Sequence, residues 1–190
     1  NLIYLDQIQK LPNKILINGQ KGIGKKILLN HFLNYFFSKN GNKTYDLKKI
    51  YKIAYLGTSS HTKELLFLKK VFEKLQQKRE DCLIEIYVNK KWRNYFRSIP
   101  RMKMSYPVNW ETFFLDTSID KVDIVLNPII NSNFNNFRSP TKFFDITRLQ
   151  AVGIYSNLKP FSDFINNNHD GILVENNIDK WIEKISFLLD

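Results

Sequence analysis

The chain has 190 residues, of which 43% are hydrophobic and 14% aromatic, enough for one packed domain with a short appendage and too many for a disordered chain. Its apolar runs fall far short of the roughly 20 residues of a membrane span. It begins at Asn1 with no charged, apolar and small-residue leader pattern behind it, so a soluble, cytoplasmic fragment of a longer protein is expected.

The net charge of +11 is unevenly spread: residues 1–50 hold nine lysines against two acids, and residues 51–190 hold 20 basic against 16 acidic residues. The chain is also rich in Lys, Asn, Ile, Phe and Tyr, so much of the basicity is compositional, and nucleic acid is not expected as a partner. Peripheral contact with an anionic membrane stays open. The single cysteine, Cys82, excludes a disulfide framework and a cysteine-built zinc site.

In chain order, residues 14–18 (KILIN) read as a short buried strand, and a helix is predicted over 27–38. Between them Gly19, Gly24 and Lys25 fit the spacing G-x-x-x-x-G-K, with Lys26 where a hydroxyl residue normally helps to hold Mg²⁺. Such a loop turns backbone N–H groups toward phosphate at a helix N-terminus. Residues 10–38 resemble the start of clamp-loader ATPases, in particular the delta-prime subunit of DNA polymerase III. No acidic Mg²⁺-associated strand or sensor follows, so residues 1–50 read as a P-loop-like segment, fused or relic, without working NTPase chemistry.

From Lys52 the pattern becomes a strand–helix alternation. Strands are predicted at 52–57, 83–88, 102–106, 122–127, 151–155 and 171–174, and helices at 61–78, 91–97, 110–117, 140–149, 160–166 and 178–189. Apolar runs of four to six residues flanked by helices suit strands covered on both faces. The expected fold of residues 51–190 is therefore α/β, a doubly wound parallel sheet of Rossmann type.

Two loops sit where such a sheet binds ligands, past the carboxyl ends of strands. In Gly57-Thr58-Ser59-Ser60-His61, Gly57 permits close backbone approach and Ser59 or Ser60 is placed to cap the following helix. In 133–145, Arg138 and Lys142 are four apart and able to face one anion, with Ser139 between them and Asp145 one turn beyond Lys142. A capped helix and a solvated face with a surface ion pair account for the same residues without a ligand. Ser139 and Lys142 also fit S-x-x-K, but the other parts of a serine hydrolase are missing. His31, His61 and His169 show no metal-ligand spacing, and no metal or cofactor is expected. Trp92, Trp110 and Trp181 read as packing residues.

The runs 53–61 (IAYLGTSSH), 123–157 and 160–190 together resemble the C-terminal domain of GT-B glycosyltransferases, group 1 and family-4-like. That resemblance implies a donor nucleotide-sugar site with Gly57, Thr58 and His61 at the diphosphate loop. It puts Arg138, Ser139 and Lys142 near the phosphates or sugar and Asp145 at the ribose. Arg138 and Lys142 would serve the chemistry by stabilising leaving-group charge. Phe137 stands where many relatives carry a second acid, and Gln150 and Val152 replace a common Gly and Pro. The implied acceptor is a glycan, a lipid-linked glycan or a protein, and the implied partner is the absent N-terminal acceptor domain. Two other readings remain: a clamp-loader-like ATPase fragment, and a nucleotide-sugar-binding domain without catalysis.

Overall fold

A computed structural model describes residues 49–57, 61–105 and 121–190. The chain divides between Lys48 and Lys49 into two units, and the described residues belong to the second. The predicted strand at 14–18, the helices at 27–38 and 110–117, Gly19, Gly24, Lys25, Thr58, Ser59, Ser60 and Trp110 lie outside the described residues.

Six strands form one sheet: β1 (Tyr51–Tyr55), β2 (Cys82–Tyr87), β3 (Met102–Ser105), β4 (Ile124–Asn127), β5 (Val152–Ser156) and β6 (Ile172–Val174), in the order β3-β2-β1-β4-β5-β6. Every pairing is parallel, with Ile53 beside both Ile84 and Ile124. The chain builds outward from β1 to β3, then returns to start again on the other side of β1. That reversal puts a switch point between β1 and β4, where the flanking crossovers leave a crevice at the carboxyl ends of the strands.

Side chains alternate between two cores, one on each face of the sheet. Ile53, Tyr55, Ile84, Ile86, Ile124, Leu126 and Ile154 pack with α1 (Thr62–Lys78) and the C-terminal helix. Ala54, Leu56, Val125 and Tyr155 face the other way, toward Ile146, Phe161 and Ile165. Between β2 and β3 run a 3₁₀ turn (Lys90–Trp92) and the short α2 (Arg93–Phe96), which together replace the single helix predicted at 91–97. α3 (Asn133–Asn136) was not predicted, α4 (Thr141–Arg148) is shorter than expected, and α5 is only Phe161–Phe164. The last helix, α6 (Ile178–Leu189), begins at Asn177, whose side chain accepts from the N–H groups of Asp179 (2.9 Å) and Lys180 (3.2 Å). It buries Trp181, Ile182, Ile185 and Leu189, each contributing roughly 1.5–3 kcal/mol of apolar burial.

Cys82 is fully buried, and burial with the nearby Asp81 carboxylate pushes its thiol up to about 11, an inert core thiol. Trp92 and Trp181 are core residues, as expected. Among the described residues no helix is long and apolar enough to cross a membrane, and none of their His, Cys, Asp and Glu side chains cluster to hold a metal ion.

Candidate functional site

At the switch point, the ends of β1 and β4 and the starts of α1 and α4 enclose a cleft. It is lined by Tyr55, Gly57, His61, Asn127, Arg138, Ser139 and Lys142, among others, and is narrow, with about 30 Å³ of free volume. Beside it, between His61, Glu64, Phe134 and Arg138, lies a wider groove of about 450 Å³. The groove falls in the range of small-molecule sites, and His61 and Arg138 border both spaces.

The floor is β1. Tyr55 is buried, and its phenol stays protonated because burial, then the Glu64 charge, raise it above its ordinary range against the opposing pull of Arg138. The backbone turns directly over this ring at Gly57, where an added Cβ would lie 2.1 Å from the phenol oxygen. Gly57 is therefore required by the close approach of the ring beneath it. His61, not Ser59 or Ser60, occupies the N-cap position of α1, and its side chain makes no capping hydrogen bond. The imidazole is left to face the cleft.

The β4 loop is fixed from two sides. Ser156, fully buried at the end of β5, accepts from the Ile129 N–H (2.8 Å) and donates to Asn176 Oδ1 (2.5 Å), while Asn176 Nδ2 donates to the Ile129 carbonyl (2.8 Å). Both peptide groups of Ile129 are thereby held. One residue on, the Ile130 carbonyl accepts from Asn135 Nδ2 at 2.6 Å, and Glu64 Oε1 receives longer contacts of 3.4 Å from the Ile130 N–H and from Asn135 Nδ2. Asn135 is buried because α3 turns it inward, with Ser132 Oγ accepting from its N–H at 3.1 Å. Asn127 contributes a buried amide Nδ2 without a hydrogen-bond partner among the described residues.

Arg138 lies between the two halves. Its guanidinium approaches both ring nitrogens of His61 at 3.4 Å, makes a 3.5 Å contact with Asn135 Oδ1, and lies 6.0 Å from the Phe134 ring centre. None of these partners is a carboxylate. A guanidinium carries five N–H donors, so Arg138 retains donor capacity toward the cleft. Lys142 sits in the first turn of α4, a place where a cation opposes the helix dipole. It is offset by Asp145, 3.2 Å away. Burial first, then Arg138, push the His61 imidazole below its ordinary value; Glu64 opposes this and Lys142 adds to it. The cleft therefore presents a neutral imidazole, two cations and two helix N-termini, a setting for an anion.

The structure brings Gly57, His61, Arg138, Ser139 and Lys142 together around one cleft. Asp145 reaches it through its ion pair with Lys142. Phe137 is 91% exposed and lines neither the cleft nor the groove. Sequence reasoning missed Tyr55, Glu64, Asn127, Asn135, Ser156 and Asn176. Of these only Glu64 carried a signal, as an acid in the first turn of a helix, and that is an ordinary helix feature.

No family model and no curated protein matches the sequence. Solved structures do match the fold. The C-terminal domain of a group 1 glycosyl transferase family protein, LpcC, from Francisella tularensis has a TM-score of 0.56 at 13% identity, covering 76% of this chain and 78% of that one. TarM matches at 0.55 and 17% identity, covering 75% of this chain and 28% of its own. The pneumococcal O-GlcNAc transferase GtfA, solved with UDP and GlcNAc, matches at 0.51 and 9% identity, covering 86% of this chain and 36% of its own. The fold is thus the Rossmann-like fold of GT-B C-terminal domains, and the chain spans 28% of the length of TarM and 36% of that of GtfA.

Proposed function

We propose that residues 49–190 form the donor-binding half of a glycosyltransferase that takes a sugar from a nucleoside diphosphate and passes it to a glycan, lipid-linked or protein acceptor. The observation that carries this reading is Arg138, a half-buried cation with no carboxylate partner among the described residues, held over the switch-point cleft. A buried or half-buried charge without a counter-ion costs free energy unless a ligand supplies one. A diphosphate fits, because it offers oxygen acceptors to a forked guanidinium and to the ammonium of Lys142.

In transfer, negative charge grows on the β-phosphate as the sugar–oxygen bond breaks. Arg138 and Lys142, positioned in advance, would stabilise that charge without reorganising. Ser139, between them, would be a further donor to phosphate or sugar, and Asp145, paired with Lys142, would orient that cation or accept from a ribose hydroxyl. A GT-B site lies between two domains, so the 190-residue chain is expected to bind donor without turning it over.

Titration calorimetry with UDP, GDP and dTDP tests this. One base should be preferred, and Arg138→Ala should weaken binding roughly 30- to 100-fold, about 2–3 kcal/mol for a charge-assisted contact. Equal affinity of the variant and the native chain would remove Arg138 from the site and with it the reading. A second reading, donor binding without transfer, is favoured by Phe137, which brings an exposed ring where the resembling family carries an acid. Failure to transfer or hydrolyse sugar when the chain is joined to an acceptor domain would select it.

A further inference from the structure

Arg138 and His61 are two cationogenic side chains in direct contact. Guanidinium Nη1 lies 3.4 Å from imidazole Nδ1, and Nη2 lies 3.4 Å from Nε2. A neutral imidazole has one accepting nitrogen and an imidazolium has none. At most one of the two approaches is therefore a hydrogen bond, and protonation would abolish it and add like-charge repulsion.

The groups around the ring set its state. From the α4 side Arg138 and Lys142 oppose its protonation, from α1 Glu64 favours it, and from β1 Tyr55 contributes a buried neutral phenol. Lys63 lines the same groove as His61. In this arrangement burial and the two cations prevail, and the ring is held below its ordinary value. A diphosphate brings two negative charges into the space that His61, Arg138 and Lys142 share. An anion within about 4–6 Å favours the charged form of a base, and an imidazolium presents two N–H donors where the neutral ring presents one. The ligand would also draw the guanidinium fork away from the ring, ending the contact that needs a lone pair there.

We propose that His61 takes up one proton from solvent when a nucleoside diphosphate group enters the cleft, so that the ligand is held by an imidazolium and a guanidinium acting together. This rests on the donor-site reading above and gives that site a pH dependence. Above the bound-state value the ring stays neutral and affinity is low. Between the bound-state and free-state values affinity rises about tenfold for each unit fall in pH, because one proton is bound with each ligand.

The test is calorimetry on the full chain with UDP-glucose, GDP-mannose and dTDP-glucose, in buffers of different ionisation enthalpy, from about pH 5.5 to 8 around the imidazole range. In these probes both phosphates are esterified, so the ligand itself has no proton to exchange near neutrality. The expected result is a buffer-dependent heat equivalent to between one half and one proton per ligand within that range. In His61→Asn both the uptake and the pH dependence should vanish, and Asn is a good N-cap residue that preserves the start of α1. Binding by the native chain with no buffer dependence at any pH in the range would overturn the proposal and leave the donor site standing. Absence of binding for all three probes would overturn the donor-site reading and this proposal with it.

Discussion

Two charged clusters lie on either side of β1, and they are built to opposite ends. Between β1, β2 and β3, Glu85 is 1% exposed and accepts from Ser105 Oγ (2.8 Å) and Lys103 Nζ (2.9 Å), with Lys52 Nζ at 3.5 Å. Burial would raise its carboxyl, but hydrogen bonds from Lys103 and Ser105 and the charges of Lys103 and Lys52 hold it below the usual carboxylate range. Glu85 is thus met by two cations and a hydroxyl. Across β1, Arg138 meets an imidazole, an amide oxygen and a ring face, and no carboxylate among the described residues. A buried charge whose partners surround it contributes to holding a fold; one whose partners fall short is arranged for something else.

Three substitutions would break or sharpen that contrast. The largest effect is expected at Glu85. Glu85→Ala removes the buried acceptor of the Ser105 hydroxyl and a counter-charge of two lysines and should cost about 2–3 kcal/mol in urea denaturation, below the full penalty of a broken buried pair because the Lys103 head can rehydrate. Its folded-state carboxyl is depressed, so its stabilisation is present above the unfolded value of about 4.3 and is lost as pH falls through the folded one. The variant should lack that acid limb while nucleotide binding by its folded fraction stays unchanged. Weakened binding at full stability would erase the distinction between the clusters.

A middle-sized effect is expected at Gly57, where the site and the core share an atom. Gly57→Ala sets a methyl 2.1 Å from the buried Tyr55 ring, and displacing the ring should cost about 1–3 kcal/mol. Because Tyr55 is the floor of the cleft, thermal melts and nucleotide titrations should both register the change. The smallest effect is expected at Lys142→Ala, about five- to tenfold in nucleotide affinity or roughly 1 kcal/mol, with little change in stability. Lys142 already spends part of its charge on Asp145, and it is more exposed than the acid it pairs with, at 34% against 20%. A loss larger than that of Arg138→Ala would reverse the ranking of the two cations.

The sheet was legible because its strands are apolar runs with helices between them. Each described strand lies within two residues of its expected bounds, since burial on both faces leaves little room for polar residues. The order β3-β2-β1-β4-β5-β6 is one of the common doubly wound orders, and the strand–helix pattern alone did not choose it. α3 was not legible: its sequence, NFNN, has low helix propensity, and the helix depends on the Ser132 cap and on Asn135 turning inward. Arg138 and Lys142 stood out by their spacing of four, but Arg138 precedes α4, so helical spacing is not what brings both to the cleft. The braces that hold them were not legible, because Glu64 looks like any first-turn acid and Ser156 like the end of a strand. Glu85 was hidden in an otherwise apolar strand, LIEIYV. The P-loop-like residues Gly19, Gly24 and Lys25 and the diphosphate-loop residue Thr58 lie outside the described residues.

The clasp on Ile129 also sets an order in time. Synthesis delivers every described group lining the cleft up to Lys142 well before it delivers Asn176, and Asn176 is what holds the carbonyl of Ile129 and orients the Ser156 hydroxyl. A nascent chain that has already paired β1 with β4 thus carries an anion seat whose rim is unfastened. The Ile129 carbonyl and the Ser156 hydroxyl therefore gain these partners only after β6 has been made, so the last fastening of the rim is among the late steps of folding from the N-terminal side.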